Sequence, residues 1–315
     1  MLGDVNSLIR EQVEEIQTRV GKGKAICACS GGVDSTTCAA LANKAIGDQL
    51  TVIFIDTGFM REREPEQVVA MLKELGLKVE LVQVADRFFD ALTGVTEPTQ
   101  QRLIFRTVFY QVFGEALKKV NASYLVQGTI KADTQEAEKG QEQHNVGIDF
   151  EKDFSLKVLE PVAALYKDEV RIVGRALGLP PEFTERMPFP GPGLLLRVAR
   201  GQEITPEKVT LVRQATVIVE KLIKEIQTSP EQPFQAFPVL LPGKARGVLE
   251  NNKRGFGHIM AIRVVDSKDA LTTRPTILPF GLLLRIAGKI TTEVKGVTRV
   301  LYEITPKPPA TIEYN

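Results

Sequence analysis

The sequence of 315 residues is long enough for two domains. Its 43% hydrophobic and 25% charged residues are those of a folded globular protein rather than a disordered, collagen-like or coiled-coil chain. Forty basic and 39 acidic residues leave a formal net charge of +1, so bulk charge favours neither nucleic acid nor an anionic membrane as a partner. Because no apolar run approaches the roughly 20 residues that cross a bilayer, and no signal-peptide core is visible, we expect a cytoplasmic location.

The first half of the chain alternates helices with short β-rich runs. Apolar residues that step by three and four predict an amphipathic helix over 5–20. Four strands are predicted after it, over 25–29, 50–55, 79–84 and 124–126. Further helices are predicted over 33–45, 65–75, 86–92 and 98–120. Strands that alternate with helices and are apolar on both faces predict a doubly wound α/β domain with a parallel sheet.

Residues 128–150 interrupt this alternation. The stretch is polar, contains several glycines and is too long for a passive connection, which is typical of a lid or a binding loop. A helix is predicted over 167–177, and the proline- and glycine-rich residues 187–193 follow it. We place the domain boundary there, with a first domain over 1–190 and a second over 191–315.

The second domain is predicted to be a smaller α+β unit. Its strands are expected over 194–198, 234–241, 258–265 and 299–304. Its helices are expected over 205–227 and 279–294. Neither an internal repeat nor a low-complexity tract is visible in the sequence.

The cysteines and histidines limit the possible metal and redox chemistry. Cys27, Cys29 and Cys38 cannot form an even-numbered disulfide framework and lack the CxxC spacing of a redox site. Because Cys27 and Cys29 alternate with alanine in a predicted strand, we expect buried, reduced thiols. His144 and His258 are the only histidines, which argues against a zinc site of the usual type. The metal expected is therefore Mg²⁺, bound by carboxylates and phosphates.

One motif between a predicted strand and a predicted helix carries the sharpest chemical signal. It consists of Ser30, Gly31, Gly32, Val33, Asp34 and Ser35. Unpaired amides and the positive dipole end of a helix bind phosphate, glycines allow a close approach, and serine hydroxyls can donate hydrogen bonds. Asp34 would repel a phosphate unless a cation lay between them, which implies Mg²⁺. The motif lacks the GK[ST] of a Walker A loop, and a ligand-free alternative is a serine-capped tight turn.

This SGGVDS motif resembles the pyrophosphate loop of the N-type ATP pyrophosphatases, which adenylate an oxygen and release pyrophosphate. Other stretches resemble the synthetase part of the GMP synthetase family. They are QGTI at 127–130, HNVG at 144–147, YKDEVR at 166–171, PFPGPGL at 188–194 and KPPATIE at 307–313. These motifs extend over nearly the entire chain, and the last two are highly specific.

The resemblance implies a fold, a reaction and partners. The first domain would be adenine nucleotide α-hydrolase-like, and the second would form a homodimer and help bind XMP. The implied reaction uses ATP and Mg²⁺: the C2 oxygen of XMP is adenylated, and ammonia then displaces AMP to give GMP. Because the glutaminase half of fused members is missing from this sequence, ammonia is expected from a separate glutamine amidotransferase subunit.

The resemblance also implies the site residues. Ile55, at the end of the second predicted strand, is expected to contact adenosine. The residues expected to act in metal binding, catalysis or lid closure are Asp34, Asp133, Glu136, His144, Lys167 and Asp168. Those expected to bind XMP are Arg197, Gln235, Arg299, Lys307, Ile312 and Glu313. Arginine forks and a lysine suit a phosphomonoester, and a glutamate can accept hydrogen bonds from a purine or a ribose. For each charged residue alone, ordinary surface charge is the alternative.

Departures from the family pattern keep two other hypotheses open. The family usually reads IKSHHNVGG where this chain has Gln141, Gln143 and His144, so a lysine and a histidine are replaced by neutral glutamines. Ala132 and Phe105 replace a proline and a glycine of the family pattern. A neutral amide cannot offset the charge of an α-phosphate. The chain could therefore adenylate another acceptor for amidation or thiolation, or bind nucleotides without turnover.

Overall fold

The fold is that of a computed structural model, which describes residues 3–138, 150–225, 233–249, 253–267 and 271–315. The chain divides into two compact units. The first contains Met1–Thr57, Glu64–Val84 and Phe109–Arg186, and the second contains Gly58–Arg63, Ala85–Val108 and Met187–Asn315. Each unit has its own sheet.

Helices occur throughout both units. In chain order they are α1 (Val5–Val20), α2 (Val33–Ile46), α3 (Glu64–Glu74), α4 (Ala85–Leu92), α5 (Pro98–Val120), α6 (Lys131–Glu138), α7 (Phe150–Phe154), α8 (Lys167–Ala176), α9 (Pro181–Thr184), α10 (Pro206–Glu225) and α11 (Phe280–Glu293). Two short 3-10 helices cover Gly47–Gln49 and Gly193–Arg197.

A five-stranded parallel sheet forms the centre of the first unit. Its strands are β1 (Ala25–Ala28), β2 (Leu50–Asp56), β3 (Val79–Gln83), β4 (Tyr124–Val126) and β5 (Lys157–Leu159). They lie in the order β3-β2-β1-β4-β5, and each neighbouring pair is parallel. The strand order reverses between β1 and β4, and ligands of such sheets bind beyond the carboxyl ends of the strands at this switch point.

Both faces of the parallel sheet are covered. Ala25, Ile26 and Cys27 follow one another in β1 and are each at most 1% exposed, although successive strand residues point to opposite faces. Helices α1 and α8 both pack against α2. Asp4 is the N-cap of helix α1, and its carboxylate accepts the amide of Asn6 at 3.1 Å. This arrangement confirms the predicted doubly wound α/β fold.

The second unit contains a smaller mixed sheet. Strands β6 (Gln235–Val248) and β7 (Arg254–Asp266) pair antiparallel, as do β7 and β8 (Arg274–Pro275), whereas β9 (Val297–Tyr302) runs parallel to β7. Helix α10 packs against β6, and α11 packs against β9. This arrangement confirms the predicted second α+β unit.

One predicted strand is wrong. Residues 194–198 were expected to be extended, but the 3-10 helix Gly193–Arg197 occupies this stretch. Gly193 has a φ of +61°, and a Cβ there would lie 2.2 Å from the carbonyl oxygen of Phe59. The amide of Leu194 donates to that same oxygen at 2.8 Å. This close approach turns the chain away from a strand, and an apolar run alone cannot show it.

Other differences concern short elements. Strand β5 has only three residues and was not predicted. The stretch 128–150, for which a lid or a binding loop was expected, contains helix α6 and the first residue of α7, while residues 139–149 lie outside the described part of the chain. Within the described residues, no helix is both long and apolar enough to cross a membrane.

Candidate functional site

The glycine turn, residues 30–35, joins β1 to α2 at the carboxyl end of the sheet. Gly31 has a φ of +76°, which glycine adopts without strain, and a Cβ there would lie 2.7 Å from Val68. Gly32 is the N-cap of α2 and has no side chain to cover the start of the helix. The amides of the first helical turn lack partners within the helix, which is an arrangement that binds phosphate oxygens.

Two serine hydroxyls hold the glycine turn in shape. The Oγ atoms of Ser30 and Ser35 lie 3.0 Å apart. Ser30 Oγ accepts the amide of Gly32 at 3.3 Å, and Ser35 Oγ donates to the Gly32 carbonyl at 3.2 Å. Ser35 Oγ also accepts the amide of Ser30 at 3.2 Å. The hydroxyls that the sequence suggested as phosphate donors therefore also organise the turn before a ligand binds.

The glycine turn lies at the switch point of the sheet. Gly128, just after β4, packs so closely on the start of α2 that a Cβ there would lie 2.7 Å from the amide nitrogen of Ser35. The main chain after β4 thus borders the glycine turn that follows β1. Ile55 is buried near the carboxyl end of the neighbouring strand β2, and its contact with adenosine stays a prediction.

Asp34 is the carboxylate of the glycine turn. The ammonium of Lys167, the first residue of α8, donates to its Oδ2 atom. Its Oδ1 atom is buried and has no hydrogen-bond partner among the described residues. A carboxylate oxygen of this kind is the ligand that Mg²⁺ prefers, so Asp34 fits the predicted metal role. In the described ranges, no group of three or more His, Cys, Asp or Glu side chains could hold a metal.

The remaining predicted catalytic residues have different surroundings. Asp168 has an 88% exposed side chain and accepts a hydrogen bond from Arg171 at 3.0 Å. Asp133, in the first turn of α6, accepts the amide of Ile130 at 2.8 Å and so caps its own helix. Glu136 lies in the same helix, and His144 lies outside the described residues. Their catalytic roles stay predictions.

The three cysteines lie around the start of the first βα unit. Cys27, Cys29 and Cys38 are buried and free of disulfides, as the sequence predicted. Burial raises the pKa of Cys27 and of Cys38 well above the ordinary 9.0, so both remain thiols at neutral pH.

In the second unit, Arg197 forms a buried ion pair with Glu313. Their Nη1 and Oε2 atoms lie 2.9 Å apart, although the angles are not those of a hydrogen bond, and the side chains are 2% and 18% exposed. The guanidinium also lies over the ring of Phe237, at 3.2 Å from its centroid. Burial lowers the pKa of Arg197 to about 10, and burial also raises the pKa of Glu313 against the opposing effect of Arg197.

A small cavity borders Arg197 and Gln235. Gln235 donates to the carbonyl of Pro188 at 3.0 Å, while its Oε1 atom and Arg197 Nε are buried without hydrogen-bond partners in the described part of the chain. The cavity offers about 10 Å³ for the centre of a water molecule, enough for about one water. The residues that carry the unpaired acceptor, Gln235 Oε1, and the unpaired donor, Arg197 Nε, both line this cavity. One water molecule bridging the two atoms would fit these observations. Gln235 and Arg197 thus lie beneath the surface rather than at it.

The C-terminal segment, residues 303–315, carries the other predicted XMP contacts. Lys307 exchanges two main-chain hydrogen bonds of 3.0 Å with Thr273. Ile312 packs against a buried cluster that includes Phe237, the residue beneath Arg197. Arg299, in β9, donates to the carbonyl of Arg246 at 3.4 Å. Arg197, Glu313 and Ile312 are therefore brought together around Phe237, near the start of β6. Arg299 instead bonds to Arg246, near the other end of that strand.

Two further arginines were not predicted. Arg263 in β7 is fully buried, pairs with Glu303, and donates to the carbonyls of Thr305 and Thr311 at 3.1 and 2.8 Å, which fixes the C-terminal segment. Arg186, at the end of the first unit, contacts both Glu64 and the glycine turn. An arginine inside an apolar strand such as MAIRVV is the sequence signal that could have identified Arg263; the sequence carries no comparable signal for Arg186.

Two family models match parts of the chain. The model described as GMP synthase C terminal domain matches residues 222–314, and the model described as NAD synthase matches residues 2–107. The first match falls on the α+β unit with the C-terminal segment, and the second includes the glycine turn.

Curated relatives match almost the full length, and each is named as one of the subunits of GMP synthase (glutamine-hydrolyzing). The chain is 48% identical to the relative from Methanopyrus kandleri over 99% of both chains. It is 49% identical to the protein of the same name from Pyrococcus horikoshii, again over 99% of both chains. A solved structure, the NH₃-dependent NAD synthetase from Campylobacter jejuni, is 16% identical and covers 60% of this chain and 80% of its own, with a TM-score of 0.47.

Proposed function

The chain belongs to the family of these GMP synthase (glutamine-hydrolyzing) subunits, and from this membership and the geometry of the glycine turn we propose how it acts. It catalyses the ATP-dependent amination of XMP to GMP through an adenyl-XMP intermediate. The ATP chemistry is assigned to residues 1–190, and dimerisation and XMP binding to residues 191–315. The single observation that carries the proposal is the preorganised glycine turn at the switch point of the parallel sheet.

The glycine turn is assigned to the pyrophosphate portion of ATP. The first-turn amides of α2 point out of the helix start and can donate to phosphate oxygens without rearrangement, because Ser30 and Ser35 already fix the main chain. The same donors stabilise the charge that accumulates on pyrophosphate as it leaves. Ile55, at the end of β2, is assigned to the adenosine side of the nucleotide.

Asp34 and Lys167 are assigned to charge balance beside the phosphates. Asp34 Oδ1 is the atom that would hold Mg²⁺, which when bound neutralises phosphate charge. Lys167 is held at the other oxygen of Asp34, so its ammonium is already close to the place where phosphate charge arrives. An adenylated intermediate must be kept from water, which requires a lid over the nucleotide. We assign this lid to Asp133, Glu136, His144 and Asp168.

The C-terminal segment and Arg197 are assigned to XMP. Lys307 is the cation that suits the phosphomonoester, and Arg299 can contribute a second. Glu313 can accept a hydrogen bond from the purine or the ribose, while buried Arg197 holds its carboxylate and Ile312 packs beside it. Gln235 supports the same region through the Pro188 carbonyl.

Two partners are proposed. The relatives are named as single subunits of a glutamine-hydrolyzing enzyme, so ammonia is assigned to a separate glutamine amidotransferase subunit. A homodimer is proposed through apolar side chains on and near α11 and β9 that are 49–98% exposed, namely Ile277, Phe280, Leu284, Leu301 and Ile304. Reduced, buried cysteines agree with a cytoplasmic location.

A second candidate is a related enzyme that adenylates a different acceptor. Gln141 and Gln143, which replace a lysine and a histidine of the family pattern, are the sequence observation in its favour. It predicts exchange of labelled pyrophosphate into ATP with a compound other than XMP. A chain that binds both nucleotides but releases no AMP would instead be a non-catalytic relative.

The test is direct turnover by the purified chain. With ATP, Mg²⁺, XMP and ammonium, we expect GMP and AMP in equal amounts. Asp34→Asn is expected to abolish AMP release, whereas the matched control Asp48→Asn, an exposed carboxylate just beyond the other end of α2, is expected to be as active as the wild type. Full activity of Asp34→Asn would remove Asp34 from the reaction, and absence of GMP from the wild-type reaction would refute the assignment of XMP.

A further inference from the structure

Arg186 joins the glycine turn to helix α3. Its Nη1 atom donates to the carbonyl oxygen of Gly31 at 3.2 Å, and its Nη2 atom donates to a carboxylate oxygen of Glu64, the first residue of α3. The side chains of Arg186 and Glu64 are 19% and 4% exposed. One guanidinium therefore makes two hydrogen bonds at once, one to the turn and one to a buried carboxylate.

The contact acts on the peptide between the two glycines, whose N–H donates to Ser30 Oγ at 3.3 Å. Gly31 and Gly32 are adjacent, and neither has a Cβ to oppose a flip of the peptide plane between them. Because a trans peptide is planar, the Gly31 carbonyl and the Gly32 amide point in opposite directions. A donor that holds the Gly31 carbonyl thereby fixes the direction of the Gly32 N–H. A flipped peptide would aim a carbonyl oxygen where the turn otherwise presents N–H groups.

Helix α3 supports the same peptide from a second direction. A Cβ on Gly31 would lie 2.7 Å from Val68, which follows Glu64 by one helical turn. The glycine turn is thus packed against the helix whose first residue orients Arg186. A lysine could not reproduce this arrangement, because a single ammonium on a flexible stem lacks the planar fork that reaches two acceptors in fixed directions.

We infer that Arg186 is a positioning residue, which holds the Gly31–Gly32 peptide in the orientation that binds pyrophosphate. Glu64 in turn orients Arg186. The inference rests on the proposed function of the glycine turn and adds to it a residue outside the recognised motif. It predicts that Arg186 affects binding at the turn without contacting the phosphates itself.

The experiment measures binding of inorganic pyrophosphate with Mg²⁺ to the full chain by calorimetry. Arg186→Met removes both donors at similar length, and it is expected to weaken binding by about tenfold or more, the effect of losing one charge-assisted hydrogen bond. Arg186→Lys is expected to be intermediate. The matched control is Arg175→Met, which removes a half-exposed arginine paired with Glu185 in the same unit and is expected to bind as the wild type does.

A double variant separates positioning from stability. Arg186→Met removes the guanidinium that faces the buried Glu64 carboxylate, whereas Arg186→Met/Glu64→Gln removes the carboxylate charge as well. We expect the double variant to regain thermal stability but not pyrophosphate binding. Recovery of both together would overturn the inference, as would binding by Arg186→Met within about twofold of the wild type, a difference too small for a lost hydrogen bond of this kind.

Hydrogen exchange in the ligand-free chain tests the positioning role of Arg186 separately from the proposed function. Amide hydrogen exchange of residues 30–35 in the ligand-free chain is expected to be faster in Arg186→Met than in the wild type, with the strands of the sheet unchanged. Unchanged exchange at the turn would refute the positioning role. A wild-type chain that binds neither pyrophosphate nor ATP would refute the proposed function, whatever the exchange result.

Discussion

Arg197→Met should lower the free energy of unfolding, because it removes the partner of Glu313 in the C-terminal segment. The variant leaves the Glu313 carboxylate without the guanidinium 2.9 Å away. At an effective dielectric constant of about 20, the attraction at that distance is roughly 6 kcal/mol, and part of its loss is offset because no charged guanidinium must be buried. A net loss of about 3–5 kcal/mol in the free energy of unfolding is expected, as for other broken buried pairs.

The loss should depend on pH. Burial raises the pKa of Glu313 above its ordinary 4.5, and Arg197 opposes that rise, so the variant raises it further. A raised carboxylate pKa contributes stability that is present below the unfolded value and lost as pH rises through the folded value. Protonated Glu313 needs no partner, so the difference from the wild type should be smaller near pH 5 than near pH 8.

Chemical denaturation of the wild type, Arg197→Met and Arg197→Met/Glu313→Gln at both pH values measures these effects. The double variant should regain most of the stability at pH 8, but its KM for XMP should stay raised because Glu313 is absent. The control Arg200→Met breaks a pair whose side chains are 73% and 45% exposed, and it should cost less than about 1 kcal/mol. The reasoning is refuted if Arg197→Met costs no more than this control, or if its effect is the same at both pH values.

Three further predictions concern XMP binding, the lid and the homodimer. Lys307→Ala should raise the KM for XMP by about tenfold or more with little change in the KM for ATP, because one charged contact to the phosphomonoester is lost. Steady-state kinetics measures both constants, and an unchanged KM for XMP would place the phosphate elsewhere. Gln141→Lys restores a cation of the family pattern and should raise kcat, whereas Gln141→Glu should lower kcat. Equal kcat values for the wild type and both variants would show that this position does not act on phosphate charge. Leu284→Glu, at a 59% exposed position of α11, should shift the chain from dimer to monomer in analytical ultracentrifugation, whereas a monomeric wild type would contradict the homodimer.

The regular elements of the first unit could be predicted because their patterns are local. The spacing of Ile9, Ile16 and Val20 along α1 and the continuous apolar run of β2 report directly which faces are buried. The glycine turn was also predictable, since its glycines and carboxylate are adjacent in sequence. By contrast, Gly193–Arg197 became a 3-10 helix because of a contact with Phe59, which no local pattern encodes.

The site residues were harder to predict because their partners are distant in sequence. Lys167 reaches Asp34 across 133 residues, and Arg186 reaches Gly31 across 155. The resemblance to a family suggested Lys167, but nothing in the sequence suggested Arg186. Arg197 was expected to bind XMP, which stays a prediction, but its burial and its pairing with Glu313 could not be predicted. Arginine is normally a surface residue, so sequence alone does not predict such burial.

A crystal structure of the chain with Mg²⁺ and a non-hydrolysable ATP analogue tests the central claim most directly. We expect the β- and γ-phosphates on the amides of residues 32–35, a metal ion at Asp34 Oδ1, and the adenosine beside Ile55. A nucleotide bound elsewhere, with those amides facing only solvent, would contradict the account.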